Sequence, residues 1–302
     1  MACADALRRL EGGLGAREPF LLLTGEPGTG KTTLAHEAIA RWDARVVPAF
    51  LAYPPLTAAD MLEEIILRFG GQPTEGASRP KLLACLERSL AGIAGQGRVA
   101  MVVVDDAQKL SPELLEELRL LVNAAQQAGQ PLEVMLIGLP ALESLLEAPA
   151  LAAMRQRISV RARLEPLSAG ETRRYLRHRV GAAGGDGSSL FPRKTCLAIA
   201  GLTGGLPRRI NALASEALRL ARAAGQAAVA PDHVQAAAAV LEGAVPARAA
   251  VDRDDADSAD GEELAAPPGP VPAAASLAPA ISTAAAAPAP AAPVPPPVRA
   301  PT

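Results

Sequence analysis

The chain has 302 residues, 49 % hydrophobic and 21 % charged, with a formal net charge of −2. It contains no charge-free, proline-free run of about 18 apolar residues, and "MACADALRRLEGG" lacks the apolar stretch of a signal peptide, so neither a spanning nor a secreted chain is expected. Seven acids and Arg253 set residues 251–263 at −6, Arg299 adds +1, and residues 1–250 are therefore left at +3, short of a strong nucleic-acid footprint.

The chain opens with a short helical pattern from Asp5 to Leu10. "FLLLTGEPGTGKTTLAHEAIARW" then reads as strand, glycine-rich loop and helix, and "RVVPAFLAY" as a second strand. In "LTAADMLEEIILRFG" the residues Leu62, Ile65, Ile66 and Phe69 recur at helical spacing, and Gly70 is a stop signal. A helix over "RPKLLACLERSLAGI" precedes an apolar strand at 99–104. Ser111 as N-cap and Pro112 at the first helical position open "SPELLEELRLLVNAAQQ". The strand "LEVMLIG", the helix "PALESLLEA" and the strand "ISVRARLEPL" follow.

Past Leu167 the strand patterns stop. Ser168 and Glu171 form a capping-box signature at the head of "SAGETRRYLRHRV", and further helices are expected at 190–200, 206–223 and 231–241. Apolar strands alternating with helices indicate a parallel sheet covered on both faces. The expected organisation is an α/β domain over 1–167, a small all-helical domain over 168–243, and a disordered, acidic, Ala/Pro-rich tail over 244–302. That tail is too poor in apolar bulk to offset its ordering entropy.

"GEPGTGKT" matches the pattern G-x-x-x-x-G-K-[ST] between a strand and a helix. Gly25, Gly28 and Gly30 let the backbone curl so that its N–H groups face phosphate at the positive end of the helix, with Glu26, Pro27 and Thr29 completing the cradle. Lys31 would reach the β/γ-phosphates, Thr32 would coordinate Mg²⁺, and Thr33 continues the helix start, so the cofactors expected are ATP and Mg²⁺. The strand "MVVV" ends at Asp105 and Asp106 and is expected to lie beside the loop strand. Asp105 would then hold the Mg²⁺ water shell and Asp106 polarise the attacking water. Aspartate is one methylene shorter than glutamate, which leaves the second carboxylate roughly 1 Å short, a displacement that can cost on the order of 100-fold.

In "GLPRRIN", Arg208 and Arg209 stand in the first turn of a helix, where cations oppose the dipole, so an anion is expected nearby. Arg155 and Arg157 close a helix before the last strand and could reach a neighbouring subunit's nucleotide as a finger, or simply sit favourably at a helix C-terminus. The run Arg173–Arg179 reads first as a solvated face. The cysteines Cys3, Cys85 and Cys196 show no disulfide or metal spacing, which suits a reducing cytosol, and the histidines His36, His178 and His233 are isolated.

Taken in order, "TGEPGTGKTTL", "VVVDDAQKL", "LIGLPAL", "MRQRI", "LEPLSAGETRRYLRHRV" and "GGLPRRINALASEAL" resemble the AAA+ ATPases of the ExeA/GspA type, which are associated with type II secretion assembly. ATPases encoded with exosortase systems and TniB-type transposition ATPases are related. The resemblance covers about residues 5–242. It implies that Gly25 to Thr32 are the Walker A motif, Asp105 and Asp106 the Walker B motif, Arg208 a lid arginine sensing the γ-phosphate, and Arg155 or Arg157 the finger. It also implies nucleotide held between sheet domain and lid, and subunits that complete one another's sites.

The chain departs from the family at Asp106, where glutamate is usual, and at Leu139, where a polar residue is usual. Secretion-type members continue into transmembrane and periplasmic regions, whereas only the Ala/Pro tail is expected here. The expectation is therefore a slow ATPase, cytoplasmic or peripheral at the inner membrane through a protein partner, acting on a secretion or polysaccharide-export machine. The alternatives are a DNA-linked helper ATPase of the TniB/MuB kind and a nucleotide-gated scaffold.

Overall fold

Helix α1 (Ala2–Ala16) leads into strand β1 (Phe20–Gly25), helix α2 (Lys31–Ala40) and strand β2 (Val46–Leu51). Helices α3 (Ala58–Arg68) and α4 (Arg79–Gly95) carry the chain to β3 (Val99–Val104), a 3-10 turn (Ala107–Lys109) and α5 (Pro112–Gln127). Strand β4 (Leu132–Gly138), the short helices α6 (Ala141–Leu146) and α7 (Ala152–Arg157), and strand β5 (Ile158–Leu164) complete the α/β part. This computed structural model describes residues 2–42, 44–51 and 55–243; the expected tail lies outside the described residues. Thr57 caps α3 and Ser111 caps α5, each accepting a backbone N–H three residues on, which satisfies one of the donors a helix start leaves open.

The five strands are parallel in the order β2-β3-β4-β1-β5. The acid-bearing β3 is therefore not beside the loop strand β1: β4 lies between them. The physical reason is in the strands themselves. All seven positions of β4 are buried, which demands neighbours on both sides. The two edges fall to β2, whose Pro48 cannot donate to a second ladder, and to β5, which alternates buried Ile158, Ala162 and Leu164 with exposed Ser159, Arg161 and Arg163. The expected cover on both faces thus holds for the central strands, while β5 leaves one face open.

Leu21, Leu23, Met101, Val103, Met135 and Ile137 point to the face covered by α1 and α2. The opposite sides of the same strands, including Phe20, Leu22, Val102 and Val134, pack under α3, α4 and α5. Successive residues of a strand face opposite ways, so one sheet feeds both cores. A third core, built on Leu176, Phe191, Ile199, Ile210, Leu213 and Val234, belongs to helices α8 (Ala169–Ala182), α9 (Gly187–Leu190), α10 (Arg193–Thr203), α11 (Pro207–Ala223) and α12 (Pro231–Gly243). The Ser168–Glu171 capping box starts α8 as the sequence predicts.

A backbone contact ties the segment after β5 to the helical part. The Leu167 N–H donates to the Gly205 carbonyl at 2.8 Å. Gly205 adopts φ 74°, and a Cβ there would lie 2.0 Å from the Leu167 oxygen, so the position demands glycine twice over.

Candidate nucleotide site

At the carboxyl end of β1 the chain turns through Glu26 to Gly30 and enters α2 at Lys31. Gly28 (φ 79°) and Gly30 (φ 93°) take left-handed conformations that bulkier residues resist. Thr29 Oγ1 donates to the Glu26 carbonyl at 2.8 Å and braces the turn from inside. Gly30 caps α2 without any side-chain hydrogen bond, so the first-turn N–H groups of that helix keep their capacity for an anion.

Lys31 folds back into this cradle. Its Nζ donates to the Gly25 and Glu26 carbonyls, each at 3.0 Å. Burial pushes the ammonium pKa down, against the opposing pull of Asp105, Asp106 and Glu26. Thr32 Oγ1 donates to Asp105 Oδ2 at 2.6 Å, and Asp105 Oδ1 accepts the Asp106 N–H at 2.9 Å. Thr32 of α2 and Asp105 after β3 are thus in contact although β1 and β3 are not neighbours. Glu26, Pro27 and Thr33 are exposed at the rim of the cradle.

Asp106 sits at φ 52°, ψ 37°. Its Oδ2 accepts Lys109 Nζ at 2.8 Å and its Oδ1 accepts Gln108 Nε2 at 3.2 Å. These contacts, Lys109 first and then Gln108, hold the carboxyl below its ordinary range. Gln108 Oε1 in turn accepts the Leu139 N–H at 3.0 Å. Thr24, at the end of β1, donates to Glu143 of α6. Neither Gln108 nor the Thr24–Glu143 pair is apparent in the sequence: the polar run "DDAQK" hints at the first, and only the fold brings 24 and 143 together.

The two arginines of α11 part company. The Arg208 backbone N–H donates to the Gly28 carbonyl at 3.1 Å, and a Cβ on Gly28 would lie 2.9 Å from Arg208 Cβ, so α11 rests directly on the glycine loop. The Arg208 side chain is exposed and makes no hydrogen bond or ion pair among the described residues. Arg209 instead donates from Nη2 to the Leu202 carbonyl at 3.0 Å, capping the end of α10 rather than facing an anion. Arg155 pairs with Glu147, and Arg157 donates to the Gln126 amide oxygen at 3.2 Å; no contact joins either to the loop or the aspartates.

The donor set suits Mg²⁺. A hydroxyl and a carboxylate are hard oxygen ligands, and no group of three or more His, Cys, Asp or Glu among the described residues could form a protein cage. Mg²⁺ keeps most of its waters and is bound through one or two carboxylates plus substrate phosphates, the pattern that Thr32 and Asp105 offer.

A family model described as an AAA domain matches residues 15–146. Over 241 residues, 79 % of this chain, the sequence is 37 % identical to General secretion pathway protein A of Aeromonas hydrophila, of which the chain spans 44 %. Among solved structures, Cdc6p from Pyrobaculum aerophilum superposes with a TM-score of 0.62 at 22 % identity, covering 78 % of this chain and 65 % of that one. The ADP form of Aeropyrum pernix ORC2 gives 0.59 at 20 % identity, with 79 % and 67 % covered. The Thermotoga maritima RuvB branch-migration motor gives 0.52 at 16 % identity, with 79 % and 69 % covered. At these identities the structures speak for the fold. Residues 15–146 thus match an AAA domain, and over 241 residues the chain is similar to General secretion pathway protein A, of whose length it spans less than half.

Proposed function

We propose that the chain binds Mg-ATP between its glycine loop and its helical part, hydrolyses it slowly, and uses the ATP state to drive assembly or regulation of a membrane-linked secretion or polysaccharide-export machine. The observation that carries this reading is the gathering of Lys31, Thr32, Asp105 and Asp106 beside one loop, on which the backbone and stem of Arg208 also rest. Gly25 to Thr33 cradle the phosphates, with Lys31 exchanging its two carbonyl partners for phosphate oxygens. Thr32 and Asp105 hold the metal, whose charge would offset that of the phosphates. Asp106 polarises the water and Arg208 approaches the γ-phosphate from the lid.

Residues 1–167 form the nucleotide domain in this reading, 168–243 the lid, and 244–302 a tether. The kinship with a general secretion protein supports a cytoplasmic chain that reaches the inner membrane through a protein partner, and self-association would bring Arg155 or Arg157 to a neighbour's site. No helix among the described residues is long and apolar enough to cross a membrane. The test is nucleotide binding and phosphate release with Mg²⁺ and ATP. The expected result is binding that Lys31→Ala weakens by 100-fold or more, with slow turnover; wild type that binds no nucleotide would overturn the reading.

The second reading, a DNA-linked helper, draws on exposed Arg161 and Arg163 on the open face of β5 and exposed Arg174, Arg177 and Arg179 on α8. It predicts duplex affinity that falls steeply with salt; absence of binding at low salt removes it.

A further inference from the structure

Asp106 is one of two non-glycine residues with positive φ among the described residues. Such a conformation costs on the order of 1 kcal/mol and persists where surrounding contacts over-determine it. Its effect is to start the 3-10 turn Ala107–Lys109 so that Gln108 folds back over the Asp106 carboxylate. The amide then spans two strand ends: Nε2 donates to Asp106 Oδ1 after β3, and Oε1 accepts the Leu139 N–H after β4. Space for it comes from Gly138, where a Cβ would lie 2.7 Å from Gln108 Oε1.

The chemistry allows only one orientation. Flipping the amide would set its NH₂ against an N–H donor and its oxygen against a carboxylate. Leu139 has no polar side chain, so its backbone N–H is what β4 offers at this point. The other hold on Asp106, Lys109, is a flexible ion pair whose side chains are 62 % and 47 % exposed, the kind worth little in water. Gln108, anchored to sheet backbone, is the stiffer constraint.

We infer that Gln108 is a positioning residue for ATP hydrolysis, transmitting the position of the β4 end to the Asp106 carboxylate. This rests on reading Asp106 as the water-polarising group. Because displacements of about 1 Å at a reacting group can cost on the order of 100-fold, loss of the bridge should appear in the chemical step and not in binding.

The experiment is steady-state ATP turnover, with nucleotide affinity measured separately, for wild type and for Gln108→Leu, Gln108→Asn and Gln108→Glu in the full chain. The expected result is a kcat lowered by about tenfold or more in the Leu and Asn variants, with KM and ATP affinity within about twofold. Gln108→Glu keeps an acceptor for the Leu139 N–H but loses the donor to Asp106 Oδ1, so its kcat should fall likewise with ATP affinity kept. Folded variants with unchanged kcat, or an equal loss of affinity and turnover, overturn the inference while leaving the ATPase reading standing. Nucleotide binding without any turnover in wild type overturns both the hydrolytic reading and this inference. Should Gln108→Leu fail to fold, the near-isosteric Gln108→Glu still decides through the split between kcat and ATP affinity.

Discussion

At the residue scale two carboxylates invite opposite predictions. Asp106 has the right neighbours for hydrolysis but a short reach, so Asp106→Glu should raise kcat several-fold with ATP affinity unchanged; phosphate release no faster than wild type would sink the short-carboxylate argument. Glu133 has no evident part in the site. It lies within β4, 2 % exposed, with Oε2 lacking any hydrogen-bond partner, and burial pushes its pKa from about 4.5 up to about 8, against a weaker pull from Arg17. The folded state therefore holds a proton that the unfolded chain releases. Stability is undiminished below about pH 4.5 and falls as pH rises toward about 8. Glu133→Gln removes that titration. Thermal melts of the two proteins should diverge between pH 5 and 8, with the variant ahead by on the order of 3 kcal/mol at most near neutrality. Equal pH dependence in both would assign the group an ordinary carboxylate behaviour.

At the element scale the junction between β5 and α11 decides how the helical part sits. Gly204 and Gly205 both have positive φ, but a Cβ at 204 meets nothing within 4 Å whereas one at 205 meets the Leu167 carbonyl. Gly204→Ala should cost only about 1 kcal/mol, the ordinary left-handed penalty. Gly205→Ala should cost more and should also weaken ATP binding, because α11, which carries Arg208 onto Gly28, hangs from that turn. Melting temperature and nucleotide affinity together check this: equal losses at the two glycines would mean that the junction does not seat the lid.

At the scale of the whole molecule the open question is what meets Arg157. Arg155 is already neutralised by Glu147, while the hydrogen-bond partner of Arg157 is the neutral Gln126, so Arg157 is the freer candidate for a neighbour's nucleotide. Arg157→Ala should lower turnover at high protein concentration without changing ATP affinity, and more than Arg155→Ala does. Mixing Arg157→Ala with Lys31→Ala should recover activity, since one supplies an intact site and the other an intact arginine. Mixtures no more active than their parts would argue against a shared site.

Much of this was legible in the chain. The glycine loop, the capping box at Ser168, the proline start at Pro112 and the strand and helix periods all depend on residues within a few positions of one another, where local sterics and hydrogen bonding act. The placement of β4 between β3 and β1 was not legible, because register and neighbour choice come from burying strands that are far apart in sequence. The same holds for the division of labour between Arg208 and Arg209, which look equivalent as a pair and differ only in what α10 and the loop put beside them. The sequence by itself determined that an AAA+ phosphate loop and an acidic strand end exist; the tertiary structure decided that Thr32 meets Asp105, and that Asp106 is held through Gln108 by the end of β4, since such contacts arise only when the sheet has closed.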